Sequence, residues 1–105
     1  YSDWWADPEH QNIPKAWKDL SVDAMAQELF AFTEQALLAL KEADVYPDMI
    51  QIGNEIRNGM LFPVAKVPKW ENLAKLVNSG IAAARKVNAD TKLMIHLDEG
   101  ATYAL

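Results

Sequence analysis

Segments with helical and strand-like hydrophobic patterns alternate along this chain of 105 residues. Helical spacing of apolar residues extends from about residue 22 to Asp44, and a short apolar run of strand type follows at 49–53. A second helical pattern covers 70–87, and a second strand-like run covers 92–97. Strands that alternate with helices pair in parallel and form βαβ units, so the sequence predicts an α/β fold.

The ends of both predicted helices are marked by specific residues. Ser21 is a suitable N-cap, Asp23 carries negative charge in the first turn, and Pro47 prevents continuation of the first helix. The predicted apolar face of the first helix consists of Met25, Leu29, Phe32, Ala36 and Leu40. That of the second consists of Leu73, Val77, Ile81 and Ala84. Trp17 and Trp70 are interpreted as packing residues.

Three predicted strand ends lie near Asp3, Glu55 and Asp98, spaced by roughly 40 to 50 residues, which suits a (β/α)8 barrel of ~250 residues. The carboxyl ends of parallel strands share one face, where polar loops carry the chemistry. Because the chain lacks an initiator Met and a closing element, we expect residues 1–105 to be an internal fragment of one barrel domain.

Composition excludes several classes of function. The net charge of −5 leaves no basic patch for nucleic acid and disfavours an anionic membrane surface. No apolar run approaches the ~20 residues of a membrane span. With no cysteine, disulfides and Cys-ligated zinc are excluded within this stretch. The histidines do not form a metal-binding pattern, and no phosphate loop or nucleophile elbow is present.

Candidate site residues each admit two interpretations. A carboxylate at a buried strand end, such as Glu55 beside Asn54, is costly unless it is paired or functional, but it also caps loops and helices. Each of the adjacent tryptophans Trp4 and Trp5 can either stack on a sugar or close the top of a barrel as packing, and Trp4 is interpreted as packing. A lone histidine is more often a structural residue than a ligand. The position of His96 at the end of a predicted strand favours a functional role for it.

Three motifs resemble one family. Residues 1–11, YSDWWADPEHQ, resemble the Y-S-D-x-W-A-D-P-x-H-Q signature of arabinogalactan endo-β-1,4-galactanases, glycoside hydrolase family 53. Residues 51–63, QIGNEIRNGMLFP, resemble its I-G-N-E-I-x-x-G-[ML]-L-W-P stretch, and residues 94–98, MIHLD, resemble its I-M-I-H-L-D. The resemblance spans essentially the whole chain and implies a partial (β/α)8 barrel, from about the end of strand 3 to strand 5.

The resemblance also implies residue roles. Glu55 corresponds to the general acid/base, and Asn54 to the residue that binds the 2-hydroxyl of the sugar at the −1 subsite. The other residues that correspond to the substrate cleft are Asp3, Trp5, His10, His96 and Asp98. The family's nucleophile, a second Glu after strand 7, falls beyond Leu105. A retaining glycosidase needs both carboxyls.

The sequence departs from the family pattern at a few positions. Phe62 replaces a Trp, Trp4 replaces a small polar residue, and 99–102 replaces an Asn-Gly-Trp type continuation, which puts the sugar contacts of that loop in doubt. The resemblance implies a secreted, monomeric enzyme acting on galactan, with no cofactor in this stretch; calcium binding elsewhere stays open. A hydrolase of another β-glycan and a non-catalytic carbohydrate-binding module are the alternatives, and β/α alternation favours the enzyme.

Overall fold

A computed structural model describes residues 1–2 and 5–99 of the chain. Asp3 and Trp4 therefore lie outside the described residues. After a single 3-10 turn at Lys15–Trp17, the elements in chain order are α1 (Val22–Glu42), β1 (Met49–Gln51), β2 (Gly59–Met60), β3 (Ala65–Lys66), α2 (Trp70–Val87) and β4 (Lys92–Met94). No helix within the described part of the chain is long and apolar enough to cross a membrane.

The strands β1 and β4 pair in parallel, which confirms the predicted arrangement. Met49 is paired with Lys92 and Gln51 with Met94. Both strands are shorter than predicted, but main-chain bonding continues beyond them: the amide of Ile52 donates to the Met94 carbonyl and that of Ile56 to the His96 carbonyl, both at 3.0 Å. The two segments thus stay adjacent past the ends of the strands.

The ends of α1 agree with the sequence. The Ser21 hydroxyl accepts a hydrogen bond from the Ala24 amide and caps the first turn. At the other end Asp44 has a φ of +60°, and the Val45 amide donates to the Leu40 carbonyl. This 6→1 hydrogen bond is that of a Schellman motif, which ends the helix before the chain enters β1.

The buried face of α1 differs from the predicted one. Met25 and Leu29 are buried as expected, but the next buried residues are Thr33 and Leu37, whereas Phe32 is 56% exposed. Leu40 and Ala36 are also exposed. Thr33 can be buried because its hydroxyl donates to the Leu29 carbonyl at 2.7 Å and bonds the Tyr1 hydroxyl at 2.7 Å.

The second helix packs against α1 and the turn after β1. Leu73 and Ala84 are buried as predicted, but Val77 and Ile81 are only half-buried, and Trp70 is 60% exposed. The other buried residues of α2 are Leu76, Gly80, Ala83 and Val87. At Gly80 a Cβ would approach Ile52 Cγ2 to 2.9 Å, so the absent side chain permits close packing of α2 on the segment after β1.

The connection between β1 and α2 contains a small hairpin that the sequence did not predict. β2 and β3 pair antiparallel, with Gly59 opposite Lys66 and Met60 opposite Ala65. Met60 and Ala65 are buried in the same core as Leu73 and Leu76 of α2. The hairpin therefore anchors the long loop that follows β1.

Candidate active site

The segment 52–56 leaves the sheet through a tight turn. Gly53 has a φ of +79° and Glu55 a φ of +50°. A left-handed conformation is unusual for a residue with a side chain, and it is found most often where the surrounding structure enforces it at functional sites. The turn keeps Ile52 and Ile56 buried and leaves Asn54 and Glu55 half-buried at the end of β1.

The side chain of Asn54 lies at the centre of a hydrogen-bond network. Its Nδ2 donates to the carbonyl of Ala6 at 3.0 Å and to Oε1 of Glu55 at 3.3 Å. Its Oδ1 accepts from Nε2 of Gln51 at 3.0 Å, and that nitrogen also donates to the carbonyl of Gly53 at 2.6 Å. All hydrogens of the Asn54 amide are thereby bonded, and one of them contacts the carboxyl group predicted to perform the chemistry.

His96 follows β4 and meets Asn54 from the neighbouring strand. Its Nδ1 lies 3.1 Å from Oδ1 of Asn54. The main-chain bond from Ile56 to His96 fixes the distance between the two loops. The structure therefore brings Asn54, Glu55 and His96 together at one end of the parallel pair, where chemistry occurs in α/β folds.

The loop 5–11 packs over this strand end. Gln11 is buried, and its Nε2 donates to the carbonyls of Asn54 at 2.7 Å and Asp7 at 3.1 Å. Nδ2 of Asn58 donates to the carbonyl of Pro8 at 2.9 Å. Trp5 belongs to this docked loop, and its side chain is 83% exposed. An exposed indole presents a large apolar face to solvent.

The structure does not join His10 to this network. The side chain of His10 is exposed, and its Nδ1 lies 2.9 Å from Oδ1 of Asp7. The amides of Glu9 and His10 also donate to Oδ1 of Asp7, each at 2.8 Å. These hydrogen bonds, above all that of the His10 ring, hold the pKa of Asp7 below its usual value. Asp7 thus shapes the loop, a role the sequence did not indicate.

Asp98 is bound to a residue that the sequence did not single out. Nη1 of Arg57 donates to Oδ2 of Asp98, and it also contacts Oε2 of Glu99 at 3.0 Å. Oδ1 of Asp98 is buried and has no hydrogen-bond partner among the described residues. A third carboxylate, that of Glu9 in loop 5–11, has its Oε1 3.8 Å from Nη2 of Arg57. The arginine therefore connects three loops around the strand ends.

A cavity of about 310 Å³ borders the site but does not contain the carboxyl group of Glu55. It lies between α1 and β1 and is lined mainly by apolar side chains, including Leu37 and Ile50, and it reaches Asn54 at one end. The cavity is largely apolar, and neither Glu55 nor His96 lines it. Over residues 1–2 and 5–99 no group of three or more His, Cys, Asp or Glu side chains could hold a metal ion.

Comparisons with known proteins agree on one family. The family model described as glycosyl hydrolase family 53 matches residues 1–105. An arabinogalactan endo-β-1,4-galactanase from Thermothelomyces thermophilus is 38% identical over 95% of this chain, and an uncharacterised protein from Niallia circulans is 44% identical over 95%. The chain spans 30% of the length of each of these relatives.

Solved structures give the same result. The glycoside hydrolase family 53 catalytic domain of Ignisphaera aggregans superposes with a TM-score of 0.92 and 39% identity, covering 99% of this chain and 30% of that domain. A fungal β-1,4-galactanase superposes with a TM-score of 0.88 and 38% identity, covering 95% of this chain and 30% of that structure. The described fold thus corresponds to a segment of a (β/α)8 barrel, as the sequence predicted.

Proposed function

Because this chain belongs to glycosyl hydrolase family 53, we propose that the protein carrying it hydrolyses internal β-1,4-galactosidic bonds of galactan or type I arabinogalactan with retention of configuration. The printed names of several relatives support this substrate. We further propose that the complete protein acts outside the cell as a monomer on a polysaccharide. These statements concern the whole protein, of which this chain corresponds to about a third.

The observation that carries the proposal is the position of Glu55. Its carboxyl group lies 3.3 Å from Nδ2 of Asn54, on a residue of left-handed conformation in the turn that follows β1, and His96 contacts the same side-chain amide from the segment after β4. A carboxyl group at the end of a parallel strand in a barrel is typical of a catalytic group. An antiparallel binding module would not need this arrangement.

In the proposed reaction Glu55 is the general acid/base. It protonates the leaving glycosidic oxygen while a second carboxylate attacks the anomeric carbon, and it then deprotonates the water that hydrolyses the glycosyl-enzyme. The two carboxyls of such a pair are ~5–5.5 Å apart. We assign the nucleophile to a part of the protein outside this chain.

The remaining predicted site residues are proposed to bind substrate. Asn54 would hold the 2-hydroxyl of the −1 sugar in place of its 3.3 Å hydrogen bond to Oε1 of Glu55, and Trp5 would stack on a neighbouring sugar ring. His96 and Asp98 would contact hydroxyl groups of the substrate. Asp3 and His10 keep their predicted roles in the cleft as proposals.

The test is Glu55→Gln in the complete protein, with Glu28→Gln on the exposed surface of α1 as the control. We expect Glu55→Gln to abolish turnover of polymeric galactan, because its sugar leaving group requires protonation. It should retain far more activity on an aryl galactoside whose phenolate leaves unprotonated. Added azide should raise that activity by attacking the glycosyl-enzyme and yield the β-galactosyl azide.

Two outcomes would contradict the proposal. Equal loss on both substrates together with an α-galactosyl azide would make Glu55 the nucleophile. Binding of galactan without any release of reducing sugar by the unsubstituted protein would identify a binding module instead of an enzyme. The Glu28→Gln variant should match the unsubstituted protein in every assay.

A further inference from the structure

The orientation of the Asn54 amide can be derived from its partners. The carbonyl oxygens of Ala6 and Gly53 only accept hydrogen bonds, so the atoms that face them must donate. Nδ2 of Asn54 faces the Ala6 carbonyl at 3.0 Å, and Nε2 of Gln51 faces the Gly53 carbonyl at 2.6 Å. Nε2 of Gln51 also lies 3.0 Å from Asn54, where only Oδ1 can accept. The hydrogen bonds to two different carbonyls therefore require the same orientation of the Asn54 side-chain amide.

This orientation determines the donor at His96. Nδ1 of His96 lies 3.1 Å from Oδ1 of Asn54, an atom that only accepts. The proton of the neutral imidazole must then be on Nδ1, which leaves a lone pair on Nε2. Nδ1 is the only ring nitrogen of His96 with a hydrogen bond to another described residue.

We propose that Gln51 and the Ala6 carbonyl fix the Asn54 amide, and that Asn54 fixes neutral His96 as the Nδ1–H tautomer, so that Nε2 accepts a hydrogen bond from a hydroxyl group of the substrate. Gln51 is a positioning residue that acts through Asn54. The assignment of the ligand as a sugar hydroxyl rests on the proposed function. The tautomer itself rests only on the hydrogen bonds within the chain.

The arrangement has a consequence for selectivity. A neutral ring that presents only an acceptor binds a hydroxyl donor and leaves the lone pairs of that hydroxyl free for other donors. The opposite tautomer would present a donor at the same point and would favour a carbonyl or carboxylate. The network of Gln51 and Asn54 therefore selects uncharged hydroxyl-bearing ligands at this position.

The experiment is ¹⁵N NMR of the histidine rings in the complete, ligand-free protein under mildly alkaline conditions, where imidazole rings are neutral. Two-bond ¹H–¹⁵N correlations distinguish the protonated from the unprotonated ring nitrogen, and a His96→Gln variant identifies the signals of His96. We expect a protonated Nδ1 and an unprotonated Nε2. A protonated Nε2 would overturn the proposal, whether or not the protein cleaves galactan.

The role of Gln51 is tested by Gln51→Met, with Gln35→Met on the exposed surface of α1 as the matched control. Gln51→Met should move the His96 signals toward a mixture of tautomers and lower kcat/KM on galactan about three- to tenfold, the equivalent of one weakened hydrogen bond. Gln35→Met should change neither quantity. Unchanged His96 signals in Gln51→Met would show that Gln51 does not position Asn54 and His96. If the tautomer is as proposed but galactan is not cleaved, the proposed function fails while this inference stands.

Discussion

The structure predicts that Gly59→Ala and Gly53→Ala destabilise the protein to different extents. Both glycines have a positive φ, +99° at Gly59 and +79° at Gly53, so both variants carry backbone strain of about 1–2 kcal/mol. Their surroundings differ. A Cβ at Gly59 would lie 2.1 Å from the Ala65 carbonyl oxygen and 2.8 Å from Lys66 Cα, whereas a Cβ at Gly53 would meet a side-chain atom of Ile56 at 3.0 Å.

The clash at Gly59 involves backbone and cannot be relieved by a side-chain rotation. Ordinary carbon contacts are ~3.5–4 Å, so β2 and β3 would have to separate by more than an ångström. Separation weakens the bond from the Val67 amide to the Asn58 carbonyl, worth about 1 kcal/mol. It also exposes part of the Met60 side chain, which is 1% exposed in the unsubstituted protein. This exposure costs about 1–2 kcal/mol of stability. With the shared strain, Gly59→Ala should lose about 3–5 kcal/mol and Gly53→Ala about 1–2 kcal/mol.

Urea unfolding of the complete protein and both variants measures these differences through the shift of the midpoint at constant slope. Gly59→Ala should be the less stable variant by at least about 2 kcal/mol, the sum of the separation terms. Equal losses for the two variants would refute the reasoning, because the shared φ strain would then account for the whole effect.

Two further predictions concern loop 5–11. The lowered pKa of Asp7 means that its carboxylate stabilises the folded protein above the unfolded pKa, and that this stabilisation is lost as the pH falls through the lower folded value. The advantage in unfolding free energy of the unsubstituted protein over Asp7→Asn should therefore shrink as the pH falls below the ordinary aspartate pKa of 3.8, and a constant difference would contradict the assignment. Trp5→Ala should raise the KM for galactan about 3- to 10-fold, as expected for loss of one stacking contact, with unfolding unchanged. Trp5→Phe should recover part of the loss, and an unchanged KM in Trp5→Ala would remove Trp5 from the binding surface.

The sequence predicted the fold class because its signals are local. Ser21, Pro47 and the apolar runs specify where helices and strands begin and end without reference to distant residues. The prediction of the buried face of α1 was partly wrong, because hydrophobicity alone selected Phe32. The structure buries Thr33 instead, because its hydroxyl finds partners in Leu29 and Tyr1. Such partners are contributed partly by distant residues, and a hydrophobic pattern does not reveal them.

The hairpin β2–β3 was missed for another reason. Its strands have two residues each, too few to show the alternation by which strands are recognised, and Pro63 and Pro68 indicated a loop. The candidate site residues were selected from motifs, but the contact of Asn54 with His96 joins residues 42 apart in sequence, which no motif reveals. Gln11 was matched within a motif but was given no role. Arg57 and Gln51 gave no signal because amides and cations are common in polar loops; only their partners distinguish them.

The main-chain bonds from Ile52 to Met94 and from Ile56 to His96 enclose Asn54 and Glu55 on both sides. The separation between the carboxyl group and the histidine is thus determined by the number of residues between two fixed amides. An added or removed residue in this interval would break one of the two bonds or rotate Glu55 out of the site. For an engineer who wishes to alter substrate preference, the length of this segment is therefore fixed by the backbone, independently of the side chains that it carries.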